Sequence, residues 1–281
     1  VGSEQRRFAQ SALGRYLPRD IANEILRDPE RLALRGEKRE IFVVFTDLEG
    51  FTKLSHAIPP ETVATLLNRY LDTLSEIVLR HGGTIDKFVG DAVVAFWGAP
   101  IARADDGERA ARAALAMHEA GEAFRRAAPA QLPPIGRTRV GLHWGEAIVG
   151  NFGGEGRIQY TALGDSMNTA ARLEAANKTL RTGVLASKAA VERSGLDWWR
   201  PLGRITLRGR ATPVWVFEPV PNATAAERER LADLLHRFDL GDGRALDELA
   251  QLAAENHDDV ALAALVDRLK QTEAGGSYVL G

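Results

Sequence analysis

Two short runs constrain this chain more than anything else in it. Ile41-Phe42-Val43-Val44-Phe45-Thr46-Asp47 and Ala92-Val93-Val94-Ala95-Phe96-Trp97 are dense in β-branched and aromatic residues, the composition of buried strands. The first run ends on Asp47, and the second is entered through Asp91 across the turn Val89-Gly90-Asp91. A carboxylate at the end of a buried strand is costly unless something cationic neutralises it. Each aspartate also has a glycine close by, Gly50 and Gly90, which allows a close backbone approach. Either aspartate alone is what a turn or helix cap commonly carries. As a pair in this setting they point to a hard divalent metal ion and phosphate. The segment from Asp47 through Leu48, Gly50, Phe51 and Thr52 would lay backbone N–H groups against that phosphate.

The composition narrows the metal. The chain has no cysteine, and its six histidines (56, 81, 118, 143, 236 and 257) contain no pair at helical ligand spacing. Thiolate zinc sites, disulfides and cysteine nucleophiles are excluded, and the expected ligands are oxygens, as Mg²⁺ or Mn²⁺ prefer. A net charge of −2 over 281 residues gives no bulk attraction to nucleic acid or to an anionic membrane surface. No apolar run approaches the ~20 residues of a membrane span. The expectation is a soluble, cytoplasmic piece, with the native protein open to membrane anchoring through an upstream domain.

The order of elements predicts an α+β fold. Residues 3–27 read as helix with a break at Pro18 and Ile21, Ile25 and Leu26 on one face; a polar link leads into the strand 41–47. Pro59-Pro60 opens a long helix whose Val63, Leu66, Leu67, Tyr70, Leu71, Leu74, Ile77 and Val78 keep the 3.6-residue period, with Gly82 as its stop. A hairpin over 84–97, a helix over about 104–127, a second hairpin in Arg137–Gly153, a short strand ending at Ala162 and a helix from Asp165 follow, and a strand pair closes the domain near 220. This order resembles a ferredoxin-like split βαβ antiparallel sheet with helices on one face, the first strand central and the 84–97 hairpin beside it. The predicted division is 1–37 as a helical linker or transducing element, 38–220 as the catalytic domain and 221–281 as a separate helical tail, opened by a capping box at Thr224 and Glu227.

Further candidate residues stand at fixed distances from the aspartates. Lys87 lies four positions before Asp91, and Thr161 is followed by Asn168 and Arg172. Each has a plain reading, as an outward strand residue, a strand threonine or an exposed helix couple. Each also has a chemical one: lysine donating to a purine ring nitrogen, threonine accepting from an amino group, asparagine orienting a ribose, arginine stabilising charge on a phosphate. Taken together, Phe45-x-Asp47-x-x-Gly50-Phe51-Thr52, Lys87-x-x-x-Asp91 and Thr161 with Asn168 seven and Arg172 eleven positions on closely resemble the class III nucleotidyl cyclases over about 38–220.

The resemblance implies conversion of ATP to cyclic AMP and pyrophosphate. It implies two Mg²⁺ or Mn²⁺ ions on Asp47, Asp91 and the Leu48 carbonyl, with adenine read by Lys87 and Thr161. Asn168 would position the ribose and Arg172 would stabilise the transition state. Thr161 stands where many members carry aspartate, which places the chain in a threonine-bearing subgroup, and bicarbonate, to which some of that subgroup respond, is a candidate activator. Since the family builds each site from two chains, the resemblance implies a homodimer with shared active sites, and the N-terminal segment resembles a link to an upstream sensor. A guanylyl cyclase, a silent nucleotide-binding module and a metal-dependent phosphohydrolase remain as alternatives; Lys87 disfavours the first.

Overall fold

The computed structural model describes residues 16–28, 36–153 and 159–280. One mixed sheet organises them. Its strands are β1 (Glu37–Leu48), β2 (Thr84–Val89), β3 (Ala92–Trp97), β4 (Thr138–Phe152), β5 (Gln159–Leu163), β6 (Val184–Ser187), β7 (Trp199–Thr206), β8 (Val214–Pro219) and β9 (Tyr278–Val279). They lie in the order β2-β3-β1-β4-β6-β8-β7-β9, with β5 paired to β4 off this path. Antiparallel pairing dominates; β4 with β6 and β7 with β9 are parallel. The first strand is central and the β2–β3 hairpin lies beside it, as the order of elements predicts.

The helices are α1 (Arg19–Arg27), α2 (Phe51–Ala57), α3 (Pro60–Arg80), α4 (Asp106–Arg126), α5 (Asp165–Leu180), α6 (Lys188–Glu192), α7 (Ala225–Asp239), α8 (Arg244–Glu255) and α9 (Val260–Lys270). They cover both faces of the sheet, not one. Phe42 and Val44 join Tyr70, Leu74 and Met117 of α3 and α4 in one core. Ile41 and Val43 point the other way and join Ala147 and Val149 of β4 and Ala170 of α5. The unbroken apolar run of β1 has this cause: successive side chains alternate faces, and here both faces are buried.

The second expected hairpin is instead the single strand β4, paired along β1 from Glu37↔Val149 to Leu48↔Thr138. Two of its glycines, Gly141 and Gly145, are there for space, not for turning. A Cβ on Gly141 would stand 2.3 Å from the Ala170 carbonyl oxygen, and one on Gly145 would stand 2.3 Å from Ser166 Oγ. Their absence lets α5 lie directly on the strand.

In the N-terminal segment, α1 follows Pro18, the Ile85 N–H donates to the Tyr16 carbonyl at 2.7 Å, and Leu17 and Ala22 are buried. The rest of the expected N-terminal helix, residues 3–15, lies outside the described residues, as do the side chains of Ile21 and Ile25 and most of the link into β1. At the other end α7–α9 do not stand apart. Leu231, Leu235, Phe238, Leu262 and Leu265 share a core with Leu173 and Leu180 of α5 and Leu202 and Ile205 of β7. The Thr224–Glu227 capping box is formed as expected. Among the described residues no helix is long and apolar enough to cross a membrane.

Candidate active site

Asp47 and Asp91 meet at the end of the central strand. Beyond the last β1–β3 pair, Phe45↔Val94, the two strands are held by side chains. Thr46 Oγ1 accepts from the Val93 N–H at 2.9 Å, and Asp91 Oδ2 accepts from the Leu48 N–H at 2.7 Å. Gly90, at φ +59°, makes the turn that aims Asp91 back at β1. Burial, and next to it the negative charge of Asp47, pushes the Asp91 carboxyl above its usual range, against the bond from Leu48.

The cation that faces this pair is Arg139. The β1–β4 register sets Asp47 opposite Arg139, and Arg139 Nη2 donates to Asp47 Oδ2 at 2.9 Å. Its Nε lies 3.7 Å from Glu174 Oε2 on α5; that nitrogen and that oxygen are both buried without a hydrogen-bond partner. Glu174 is pushed up to about 8, by burial first and then by Asp47, with Arg139 opposing. The site is therefore a knot of three carboxyl groups and one guanidinium with unspent hydrogen-bonding capacity. Neither Arg139 nor Glu174 is singled out by sequence reasoning, because only the strand register and the approach of α5 bring them to Asp47.

The remaining predicted residues form two other groups. Thr161 on β5 is buried, and its hydroxyl donates to Asp86 Oδ1 at 2.6 Å; Lys87 Nζ lies 3.8 Å from the same oxygen. The structure thus brings Lys87 and Thr161 together through Asp86, a residue absent from the sequence-based site. Asn168 and Arg172 stand one turn apart on α5, Asn168 exposed and Arg172 half-buried. Arg172 Nη1 donates to the Arg208 carbonyl, and Arg210 pairs with Asp165 and donates to Thr169 Oγ1 at 3.1 Å, so the β7–β8 loop staples the start of α5. Gly50, at φ +69°, precedes α2, which begins at Phe51 and Thr52 with no side chain capping it. Among the described residues, none of the bonds and ion pairs just named joins Asp47 or Asp91 to Lys87, Thr161, Asn168 or Arg172 within one chain.

The donor chemistry of the acidic pair fits hard cations. Both ligand candidates are carboxylates, the backbone of Leu48 is adjacent, and their mutual repulsion is what a divalent ion relieves. Among the described residues no group of three or more His, Cys, Asp or Glu side chains is arranged to hold a metal ion, Glu174 included, so the acidic pair is the donor set. Two carboxylates leave the rest of a coordination sphere to backbone, water or phosphate oxygen, as Mg²⁺ prefers.

Comparison with known proteins agrees in kind. The model of the adenylate and guanylate cyclase catalytic domain matches residues 35–217. Adenylate cyclase 1 of Rhizobium meliloti (strain 1021) is 41% identical over 206 residues, which is 73% of this chain and 31% of that protein. The crystal structure of the adenylyl cyclase CyaB from P. aeruginosa superposes with a TM-score of 0.62 at 34% identity, covering 68% of this chain and 98% of that one. A guanylyl cyclase structure superposes with a TM-score of 0.55 at 29% identity, with the same coverages of 68% and 98%. The chain spans 31% to 39% of the length of the curated relatives it matches.

Proposed function

We propose, for a chain that belongs to the class III adenylate and guanylate cyclase family, that it converts ATP to 3′,5′-cyclic AMP and pyrophosphate at active sites shared between the subunits of a homodimer. The observation that carries this reading is the acidic pair: Asp91, tied to the Leu48 N–H beside Asp47, with Lys87 and Thr161 gathered elsewhere on Asp86. One half of a composite site is assembled at each place, and a second chain would complete both.

In this reading Asp47, Asp91 and the Leu48 carbonyl hold two Mg²⁺ or Mn²⁺ ions. Such ions, when bound, neutralise phosphate charge and lower the pKa of a ribose hydroxyl. The chain's own groups do the rest. Backbone N–H groups at Gly50, Phe51 and Thr52, at the start of α2, face the phosphates. Arg139, which spends one N–H on Asp47 and has its Nε free of any hydrogen bond, can turn a guanidinium edge to a phosphate oxygen. Lys87 donates to the adenine ring nitrogen and Thr161 accepts from the exocyclic amine. Asn168 orients the ribose, and Arg172 meets the charge that builds on the phosphate as the 3′ oxygen bonds to the α-phosphorus and pyrophosphate departs.

The dimer is supported by apolar side chains left in water. Phe88 (42% exposed) and Val89 (56%) lie at the β2–β3 tip, and Ile148 (45%) and Leu163 (44%) face each other across β4 and β5. Together they are candidates for contact with a second copy. The limits 1–37, 38–220 and 221–281, an upstream sensor, a cytoplasmic location and bicarbonate activation belong to the same proposal and rest on the resemblance. A guanylyl cyclase is the second reading, since that fold neighbour exists; a lysine donor at position 87 opposes the N–H that guanine carries on its ring nitrogen.

Mixing Asp47→Ala chains with Arg172→Ala chains tests the shared site. Each homodimer should be inactive, and the mixture should regain part of the activity through one intact composite site. A mixture with confirmed heterodimers and no activity would contradict it.

A further inference from the structure

Asp86 is a buried carboxylate with an unusual job. It is 2% exposed overall, and its side chain is fully enclosed. It sits at an irregularity in the β2–β3 register, between Ile85 and Lys87, where it has no Cα partner. Such a bulge breaks the alternation of a strand and re-aims a side chain. The result is that Asp86 turns inward beneath β5 while Lys87, the next residue, remains half exposed with Nζ 3.8 Å from Asp86 Oδ1. Oδ1 accepts the Thr161 hydroxyl at 2.6 Å, and Oδ2 accepts the Ala162 N–H at 3.2 Å. The Asp86 backbone carbonyl accepts from Gln159 Nε2 at 3.0 Å.

A hydroxyl has one proton, and a free threonine rotates to donate or accept as its neighbour requires. Here an enclosed carboxylate, which offers only acceptors when ionised, takes that proton. Thr161 Oγ1 is left with lone pairs alone for any ligand. The lysine beside it can only donate. An acceptor beside a donor matches the amine and bare ring nitrogen of adenine, and opposes the 6-oxo group and ring N–H of guanine.

We propose that Asp86 is a positioning residue for base selection: by holding the Thr161 proton and the Lys87 ammonium, it fixes the two base contacts as acceptor and donor and so favours adenine over guanine. This rests on the reading of Lys87 and Thr161 as the base contacts. A merely structural Asp86 would tie β2 to β5, and its removal would lower stability without altering which nucleotide is chosen.

The test is the ratio of kcat/KM for ATP to that for GTP, measured with Mn²⁺ as cyclic nucleotide formed. Asp86→Asn lets the amide donate to Thr161 and frees the hydroxyl to rotate, so the ratio should fall about tenfold or more, as expected when a hydrogen-bonding site loses its polarity match. Thr161→Val should lower it similarly, Thr161→Ser should keep it, and Asp86→Asn added to Thr161→Val should change it no further. An Asp86→Asn protein that melts normally and keeps the wild-type ratio within about twofold overturns the proposal. Should Asp86→Asn fail to fold, the threonine pair decides: preference lost in Val and kept in Ser supports it, and preference kept in Val overturns it. The same ratio read as ATP against GTP dissociation constants by calorimetry needs no turnover. A wild-type protein that makes no cyclic nucleotide contradicts the proposed function, whereas the binding ratio still judges Asp86.

Discussion

Replacing Gly141 by alanine should disturb both stability and catalysis through a single contact. Gly141 pairs with Phe45 on one side and Leu185 on the other, at the middle of the sheet. A Cβ there would stand 2.3 Å from the Ala170 carbonyl oxygen, 2.4 Å from the Glu174 nitrogen and 3.0 Å from the Glu174 Cα. All three are backbone atoms of α5, so no side chain can rotate away. Ordinary contact begins near 3.4 Å, so helix and strand must separate by about 3.4 − 2.3 = 1.1 Å. Overpacking of this kind costs about 1–3 kcal/mol. At about 2–4 °C per kcal/mol for a chain of this size, the melting temperature should drop by roughly 2–12 °C. The same helix carries Asn168 and Arg172 and sets Glu174 beside the Asp47–Arg139 pair. A misplacement of ~1 Å in a catalytic constellation costs on the order of 10²-fold in rate. Thermal melting without nucleotide and cyclic AMP formation with Mn²⁺ would read the two effects separately. Gly243→Ala is the control, since nothing lies within 4 Å of its Cβ position and its φ is −63°. Gly141→Ala melting within about 1 °C of wild type with full activity would refute the close approach. A large melting loss with undiminished activity of the folded fraction would refute the claim that this contact places the helix that carries the proposed site residues Asn168 and Arg172.

Three further outcomes follow from the site and from the tail. Asp91→Asn removes the like charge beside Asp47 and keeps an oxygen for the Leu48 N–H, so the apoprotein should melt no lower than wild type while cyclase activity falls more than about 10²-fold. Glu174, raised from 4.5 to about 8 in the fold, leaves the native state holding the extra proton between those values; its contribution to stability is complete below pH 4.5 and is lost as pH rises through about 8. Without nucleotide or divalent ions, Glu174→Gln should therefore gain in melting temperature relative to wild type between pH 5 and pH 8.5, and an unchanged difference would contradict the burial of that carboxyl. Asp259 pairs bidentately with Arg200, at 2.6 and 2.8 Å, and its Oδ1 caps α9 through the Leu262 N–H. Asp259→Ala should cost about 2–4 kcal/mol by denaturant titration, from a lost cap and a half-buried arginine left short of a partner.

What the sequence disclosed here follows from the length scale of each signal. The aspartate pair, the β2–β3 hairpin and α3 are written in local runs, because strand composition, a glycine turn and a 3.6-residue stripe are each complete within about twenty residues. The family resemblance works the same way, on residues spaced along the chain. Arg139, Glu174 and Asp86 are visible only after folding. Arg139 reads as an alternating strand residue until the register sets it against Asp47. Glu174 reads as one more helix carboxylate until α5 lies on β4, and Asp86 matters because a bulge turns it under Thr161. The glycines of β4 mislead for a related reason: glycine marks both turns and close approaches, and a sequence does not say which. β6 is four residues, all buried, too short to carry a period. The second layer of helices was available in principle, since Ile41 to Phe45 has no polar face to give to water.

The most direct measurement incubates the purified chain with Mn²⁺ and either ATP or GTP, quantifies cyclic nucleotide and pyrophosphate, and repeats both with Asp47→Ala. The account predicts cyclic AMP with equimolar pyrophosphate from ATP, far less cyclic GMP from GTP, and neither from the variant. A folded dimer that yields no cyclic nucleotide, releases orthophosphate instead, or keeps its activity without Asp47 would contradict it.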